Sequence, residues 1–195
     1  MLLVLFAGFM SVAPNAFGAS TSLVISQVYS SQGSGARLRN DFIEIFNLSN
    51  SAVSVNGWTV QVSNATSGVW QSMSISGSIA PGQYYLVVGA AVPNVITTEV
   101  ALPKGDATGS TPIILTSGSV ALVSSNTLLT GACPSSDAAL VDFVNYGGDS
   151  LCGQAARNLD TTLSIIRANA GCTDNDDPAN DFKRVSPYQI GRAHV

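Results

Sequence analysis

Apolar and polar residues alternate along this chain in several short stretches with a period of two residues. The clearest stretch is D-F-I-E-I-F-N, residues 41–47, in which Glu44 stands between two pairs of apolar residues. Alternation of β-branched and aromatic residues with polar ones predicts half-buried β-strands. Turn residues separate similar stretches at regular intervals, and this spacing predicts an all-β antiparallel sandwich of roughly nine short strands. The predicted strands are 23–29, 42–46, 58–63, 69–75, 84–89, 112–116, 119–124, 139–146 and 162–167.

A glycine turn organises the middle of the predicted sandwich. Asn56 and Gly57 separate two alternating stretches, and both residue types tolerate a positive φ angle at low steric cost. We assign Trp58, the next residue, to the core between the two sheets. The strand 69–75 is expected to pair with the strand that Trp58 opens. Trp70 is left open between the core and an exposed aromatic patch that could bind a protein or a glycan.

Three segments in a fixed order carry a family resemblance. They are D-F-I-E-I-F-N at 41–47, V-S-V-N-G-W at 53–58 and I-A-P-G-Q-Y-Y-L-V at 79–87. In this order they resemble the lamin-tail domain in its bacterial secreted form, over residues 22–182. The resemblance implies an immunoglobulin-like β-sandwich, which agrees with the alternation.

Glu44 admits two interpretations. It could be an outward-facing strand residue that alternates with Ile43 and Ile45. The resemblance instead places a basic residue, Arg167, at the end of a late strand, and implies a structural ion pair between Glu44 and Arg167 across the sandwich. We favour this pair over a catalytic role, because ion-pair networks perturb acids without implying a function. Asp41 precedes Glu44 by three residues, so the two carboxylates are expected to face opposite sides of the strand.

The two ends of the chain are expected to lie outside the folded domain, which we place at residues 20–183. Residues 1–19 combine a short apolar run with small residues, as in a secretory signal peptide. Residues 184–195 are expected to be a non-native or disordered tail. Its last part, 189–195 (Q-I-G-R-A-H-V), can be encoded by a nucleotide string that resembles a common sequencing-library adapter, and we interpret it as adapter read-through. We therefore expect the chain to be a fragment of a longer bacterial protein.

The predicted domain is acidic. The chain has 8 basic and 12 acidic residues and a formal net charge of −4, and three of the basic residues lie beyond Phe182. Binding to phosphate backbones needs clustered lysine and arginine, so autonomous nucleic-acid binding is not expected. We expect a secreted monomer with no membrane span after signal cleavage, whose partner is a protein or a surface glycan.

The three cysteines, Cys133, Cys152 and Cys172, allow three single disulfide pairings. Disulfides form and persist in secreted proteins. We favour Cys133–Cys152, because the intervening strand and loop could fold back and bring these two residues together. Cys172 would then stay reduced or pair with a residue beyond the fragment.

The residue inventory argues against an enzyme. The chain has one histidine, His194, and it lies in the predicted tail, so neither a Ser-His-Asp set nor an H-E-x-x-H zinc site can be assembled. No G-x-S-x-G, G-x-x-x-x-G-K-[ST] or dinucleotide-binding segment is present. We expect no catalytic residues and no organic cofactor.

The segment C-T-D-N-D-D-P-A-N-D-F, residues 172–182, is the one candidate ligand site. Its aspartates offer the hard oxygen ligands that Ca²⁺ prefers, although the spacing departs from an EF-hand at Pro178 and beyond. It resembles a segment that closes bacterial lamin-tail domains, and we favour a cluster of Asx turns over calcium. The weak calcium candidates are Asp174, Asp176, Asp177 and Asp181.

These observations predict a non-catalytic accessory module for interaction or tethering in a secreted protein. Bacterial relatives in the resembling family often precede an extracellular nuclease domain, so we expect this chain to be the N-terminal part of such a protein. The alternative is a stand-alone cell-surface or adhesion module, with or without calcium. A shared sandwich does not decide between them, since one fold serves many functions.

Overall fold

The computed structural model describes residues 19–64, 67–91, 100–148, 152–187 and 190–191. Regular structure in these ranges is almost entirely β, with a 3₁₀ turn at Asn169–Gly171 and one short helix, α1, at Pro178–Asp181. The strands are β1 (Leu23–Tyr29), β2 (Asn40–Asn47), β3 (Val53–Ser54), β4 (Trp58–Asn64), β5 (Gln71–Ile75), β6 (Ser78–Ile79), β7 (Tyr84–Ala91), β8 (Ala107–Thr108), β9 (Gly118–Val123), β10 (Leu140–Tyr146), β11 (Ser164–Arg167) and β12 (Phe182–Val185).

The strands form two main sheets. The larger has the order β12-β11-β1-β2-β7-β8, the smaller has the order β10-β9-β4-β5, and β3 pairs with β6 as a separate ribbon. Neighbouring strands are antiparallel except β7 and β8, which are parallel. The predicted all-β sandwich is therefore confirmed. The count of roughly nine strands was low, because β3, β6, β8 and β12 are only two to four residues long and are too short to be recognised from alternation.

The main core lies between the two sheets. Ile43 and Ile45 of β2 point into it, and they meet Val60 and Val62 of β4 from the other sheet. Burial of a side chain of this size contributes about 1.5–3 kcal/mol. The alternation that predicts the strands thus also selects the residues that hold the sheets together.

Each sheet also carries a smaller apolar cluster on its outer face. On the smaller sheet, Trp70 packs with Phe143 at a ring-centroid distance of 6.3 Å, and its indole N–H donates to the carbonyl of Gly131 at 2.9 Å. Trp70 is 4% exposed, whereas Trp58 is half-buried at the edge of the main core. The assignment of Trp58 to the core between the sheets is therefore confirmed only in part, since Trp58 packs against that core but is not fully buried. Trp58 opens β4, so it lies at the sheet's end, where solvent reaches it.

The predicted disulfide between Cys133 and Cys152 is confirmed, with 5.3 Å between the two Cα atoms. Cys152 also packs against the Trp70 cluster, so the bond fastens two connections over the outer face of the smaller sheet. Cys172 is exposed and lies outside this bond.

Removing this disulfide is expected to lower the free energy of unfolding by about 3 kcal/mol, because a closed loop of this size restricts the unfolded chain. The test is urea denaturation of the double variant Cys133→Ser, Cys152→Ser beside the single control Cys172→Ser. The control is expected to match the wild type. Equal midpoints for all three proteins would contradict the assignment.

One predicted strand, at 112–116, is an irregular segment instead. Ile113 is fully buried, but its N–H donates to the carboxylate of Asp41 and its carbonyl accepts from the hydroxyl of Ser30. Because side chains satisfy these backbone groups, the segment needs no neighbouring strand. The apolar pattern there reflects burial without strand pairing.

The turn at Asn56-Gly57 is present, with Gly57 at φ 78°. The strands on its two sides do not pair with each other, because β3 pairs with β6 whereas β4 pairs with β5 and β9. The expected pairing of β5 with the Trp58 strand is confirmed.

The chain's ends are described only in part. Residues 1–18, which hold nearly all of the predicted signal peptide, and residues 192–195 of the predicted tail lie outside the described residues. Arg184 and Val185, expected in the non-native or disordered tail, continue β12 opposite Ile165 and Ser164. Within the described ranges, no helical segment has the length and apolar character needed to span a bilayer.

Candidate functional site: the carboxylates around Arg167

Arg167 ends β11 and is buried inside the sandwich, with 2% of its surface exposed. Ile165, two residues earlier on the same strand, belongs to the main core. Because side chains alternate along a strand, both residues face the smaller sheet. A guanidinium group is costly to bury unless each of its donors has a partner.

The guanidinium group meets that condition. Its Nη2 lies 2.8 and 3.0 Å from the two carboxylate oxygens of Asp142 on β10. Its Nη1 lies 2.7 Å from Asp174 and 3.5 Å from Asp181, and its Nε donates to the carbonyl of Ile25 at 3.0 Å. The group therefore ties β1, β10 and the segment after β11 to one point.

The partners of Arg167 are themselves anchored. Asp142 accepts the backbone N–H groups of Ile25 and Phe143, and Asp174 accepts the N–H of Ser20 at 2.7 Å. The Phe182 ring lies 4.7 Å from the guanidinium carbon of Arg167, in a cation–π contact. The cluster thus connects the start of the domain to its last strand.

Asp181 organises the aspartate-rich segment before β12. Its carboxylate accepts from the N–H and the side-chain amide of Asn175, both at 2.8 Å, and from the N–H of Asp177 at 3.3 Å. Asp177 in turn accepts from the side-chain amide of Asn180 at 2.6 Å. These bonds hold the segment together from within. The spacing of an Asx turn occurs where Asp174 accepts the N–H of Asp176 at 3.4 Å, and both observations support the structural interpretation of the segment.

The calcium candidates are close in sequence, but their side chains do not all face the same group. Asp174 and Asp181 bind Arg167, and Asp177 binds Asn180, while Asp176 is turned by a positive φ angle of 54°. In the part of the chain that the structure describes, no group of three or more histidine, cysteine, aspartate or glutamate side chains is arranged to hold a metal ion. Calcium therefore stays an untested prediction here, and the contacts favour the structural role.

Carboxylates outnumber cations in this cluster. Burial raises the pKa of Asp142, and the charge of Asp174 adds to that effect while Arg167 opposes it. Burial also raises the pKa of Asp176 to about 6, helped by the charges of Asp174, Asp142 and Asp181 and opposed by Arg167. The folded state therefore disfavours the charge of Asp176 at neutral pH.

We expect Asp176→Asn to stabilise the protein by about 1 kcal/mol at pH 7.5, a figure discounted for the partial exposure of this side chain. A raised pKa means that the folded state binds the proton more tightly than the unfolded state. The contribution of Asp176 to the free energy of unfolding is fully present below the ordinary pKa near 3.8, and it is lost as the pH rises through about 6. Asparagine also tolerates the positive φ angle at this position.

Guanidinium denaturation at pH 5 and pH 7.5 checks this prediction. The wild type is expected to lose more stability than Asp176→Asn between these two pH values. The control is Asp160→Asn. Two hydrogen bonds from Thr162 lower the pKa of Asp160, so this carboxylate is charged at both pH values and its variant is expected to keep the pH dependence of the wild type. An Asp176→Asn variant with the same pH dependence as the wild type would contradict the assignment.

The expected pair of Glu44 with Arg167 is wrong. The two residues lie in the same sheet on either side of β1, and they point to opposite faces. Arg167 faces inward with Ile165, while Glu44 faces outward and accepts the hydroxyl of Ser26 at 2.8 Å. The actual partner, Asp142, was missed. The sequence carries a signal for it, since Asp142 is an acid inside the apolar stretch A-L-V-D-F-V, where a buried charge requires a partner.

Asp41 lies on the inner face of β2, opposite to Glu44 as expected. Its side chain accepts from the N–H and hydroxyl of Ser31 at 2.6 and 2.9 Å, from Gln32 at 3.1 Å and from the N–H of Ile113 at 2.7 Å. Burial raises the pKa of Asp41, and these four bonds oppose the shift. Asp41 therefore fastens two loops to β2, which is a structural role.

A family model described as the lamin tail domain matches residues 18–148, more than half of the chain. The chain belongs to the lamin tail domain family. The crystal structure of a DUF4876 family protein from Bacteroides thetaiotaomicron resembles it with a TM-score of 0.54 and 13% sequence identity, covering 90% of this chain and 75% of that one. At such an identity the likeness concerns the fold alone. No curated protein matches this chain.

The matched part of this lamin tail domain ends shortly after β10, at residue 148. Asp41, Glu44 and Asp142 lie within it, whereas Arg167 and the aspartates that surround it lie beyond it. Strands β11 and β12 nevertheless complete the larger sheet beside β1. The lamin tail domain in this chain is therefore closed by residues outside the family match, through the contacts of Arg167.

Proposed function

We propose that this lamin tail domain is a non-catalytic interaction and tethering module of a secreted bacterial protein. The observation that carries the proposal is the use of four buried ionisable side chains: Asp41, Asp142, Arg167 and Asp181. Each of them binds strands or loops of its own domain, as the distances above describe. Ionisable groups in a catalytic site are instead arranged around a space for substrate.

Two further observations support a secreted module. The Cys133–Cys152 disulfide is compatible with an oxidising, extracellular environment. The excess of acidic over basic residues also argues against a nucleic acid as the direct partner. We therefore propose that the module holds a neighbouring catalytic domain, such as an extracellular nuclease, near a protein or glycan surface.

The test is to recover the gene from its source and to determine its codons beyond the one for Pro187. A downstream metal-dependent phosphodiesterase domain in the same reading frame supports the tether. A stop codon or a surface anchor would instead support the stand-alone adhesion module. Purified protein from residue 19 onward is expected to show no phosphodiesterase turnover with Mg²⁺, Mn²⁺ or Ca²⁺. Turnover that survives further purification would contradict the non-catalytic assignment.

A further inference from the structure

The outer face of the larger sheet carries a groove of about 290 Å³ above Glu44. Glu44 is 2% exposed, and no lysine or arginine in the described ranges lies within ion-pair distance of it. One of its two carboxylate oxygens accepts a hydrogen bond from the hydroxyl of Ser26, as described above. A buried carboxylate without a cation requires further hydrogen-bond donors, and the groove is the space from which they can come.

One wall of the groove is fixed to the sheet. Asp106 donates its N–H to the carbonyl of Leu86 at 2.9 Å and accepts the N–H of Leu86 on its carboxylate at 2.8 Å. These two bonds fasten the segment that includes Pro103 and Lys104, both of which line the groove. A fixed wall means that little ordering is needed when a ligand enters, which favours binding.

Two residues of the same chain, Ile190 and Gly191, line one side of the groove and leave this space open beside them. The N–H of Gly191 donates to the second carboxylate oxygen of Glu44. Ile190 packs against the apolar cluster on this face, whose members include Phe42 and Leu86. Gly191 has a φ angle of 60°, which a residue with a branched side chain adopts only under strain.

We propose that this groove is a peptide-binding site, which recognises an apolar residue followed directly by glycine. Ile190 and Gly191, from the tail that we expect to be non-native, cover one side of it here and show how such a pair docks. The apolar side chain packs against the outer apolar cluster, and the glycine N–H donates to Glu44. This inference deepens the proposed function, on which it rests, by naming the surface and the chemical class of partner. The occupant enters by its main chain and one side chain, so different peptides with this pair fit the same groove.

The experiment measures binding of a fluorescein-labelled peptide P-Y-Q-I-G-R, residues 187–192, to the full chain by fluorescence anisotropy. In the wild type the chain's own segment competes. In Ile190→Asp, which removes the competitor, the Kd for the peptide is expected to be at least tenfold lower. Adding Glu44→Leu to that variant is expected to raise the Kd at least tenfold, whereas Glu44→Gln, which retains an acceptor oxygen, is expected to raise it less.

The matched control peptide carries valine in place of glycine and is expected to bind at least tenfold more weakly. Near-UV circular dichroism verifies that each protein variant keeps its tertiary structure. Absence of peptide binding to folded Ile190→Asp would overturn the proposal, and so would equal binding of the valine peptide. Dimers of the wild type that Ile190→Asp abolishes would assign the occupant to a second copy and overturn the intramolecular assignment. A downstream nuclease domain together with no peptide binding would refute the groove alone and leave the tethering function intact.

Discussion

Replacing Arg167 with methionine is expected to lower the free energy of unfolding by about 4 kcal/mol, because removal of one partner leaves buried charges uncompensated. Methionine keeps much of the side-chain volume and can still pack on Phe182. It leaves Asp142 and Asp181 buried, with 7% and 1% of their surfaces exposed, without the cation between them. Guanidinium denaturation with fluorescence detection measures the loss.

A second substitution separates charge from packing in this prediction. Asp142→Asn in the Arg167→Met background removes one of the uncompensated charges, so it is expected to restore about 1–2 kcal/mol, whereas in the wild-type background it is expected to destabilise. Arg157→Met is the matched control, since Arg157 is exposed, and it is expected to change stability by less than about 0.5 kcal/mol. Strictly additive effects of the Arg167 and Asp142 substitutions would contradict the ion-pair assignment.

Replacing Asp41 with alanine is also expected to cost about 4 kcal/mol, for a different reason. The carboxylate accepts two backbone N–H groups, those of Ser31 and Ile113, and both are buried. A buried donor that loses its acceptor costs about 1–3 kcal/mol, and two such donors are left by this change. The side-chain donors of Ser31 and Gln32 lose their acceptor as well.

The variant Asp41→Asn tests the source of that cost. Asparagine retains one acceptor oxygen and removes a carboxylate whose pKa burial has raised, so a smaller loss of about 2 kcal/mol is expected. The control Asp137→Ala removes an exposed acid with a single backbone bond, to Ala139, and is expected to cost less than about 1 kcal/mol. Thermal and urea denaturation measure all three variants. An alanine variant no less stable than the asparagine variant would show that the backbone donors find other partners.

The sequence predicts the strands where alternation and pairing act together. The first predicted strand coincides with β1, Leu23–Tyr29. Leu23, Ile25 and Val28 pack into the core between the sheets, and a β-bulge after Ile25 shifts the alternation by one residue. The prediction fails at 112–116, where the same apolar pattern arises because Ile113 is anchored by Asp41 and Ser30 instead of a neighbouring strand. A periodic pattern of apolar residues indicates which side chains are buried, and a buried side chain need not belong to a strand.

The sequence indicates which residues form the candidate site, but it does not indicate which of them pair with each other. The sequence shows an arginine at the end of a predicted late strand, and it shows an aspartate-rich segment after it. Which acid meets Arg167 depends on the order of the strands, because β1 separates Glu44 from β11 whereas β10 lies across the core. The two tryptophans show the same limit, since Trp70 is buried by a connection that closes over the outer face of its sheet.

The position of β1 has a consequence for synthesis of the protein. The first strand lies between β2, which follows it closely, and β11, which is made about 140 residues later. A nascent chain therefore carries an open, apolar β edge until residue 167 has left the ribosome. Partial translation products, and any recombinant chain that stops at the end of the family match, are expected to aggregate through that edge instead of folding.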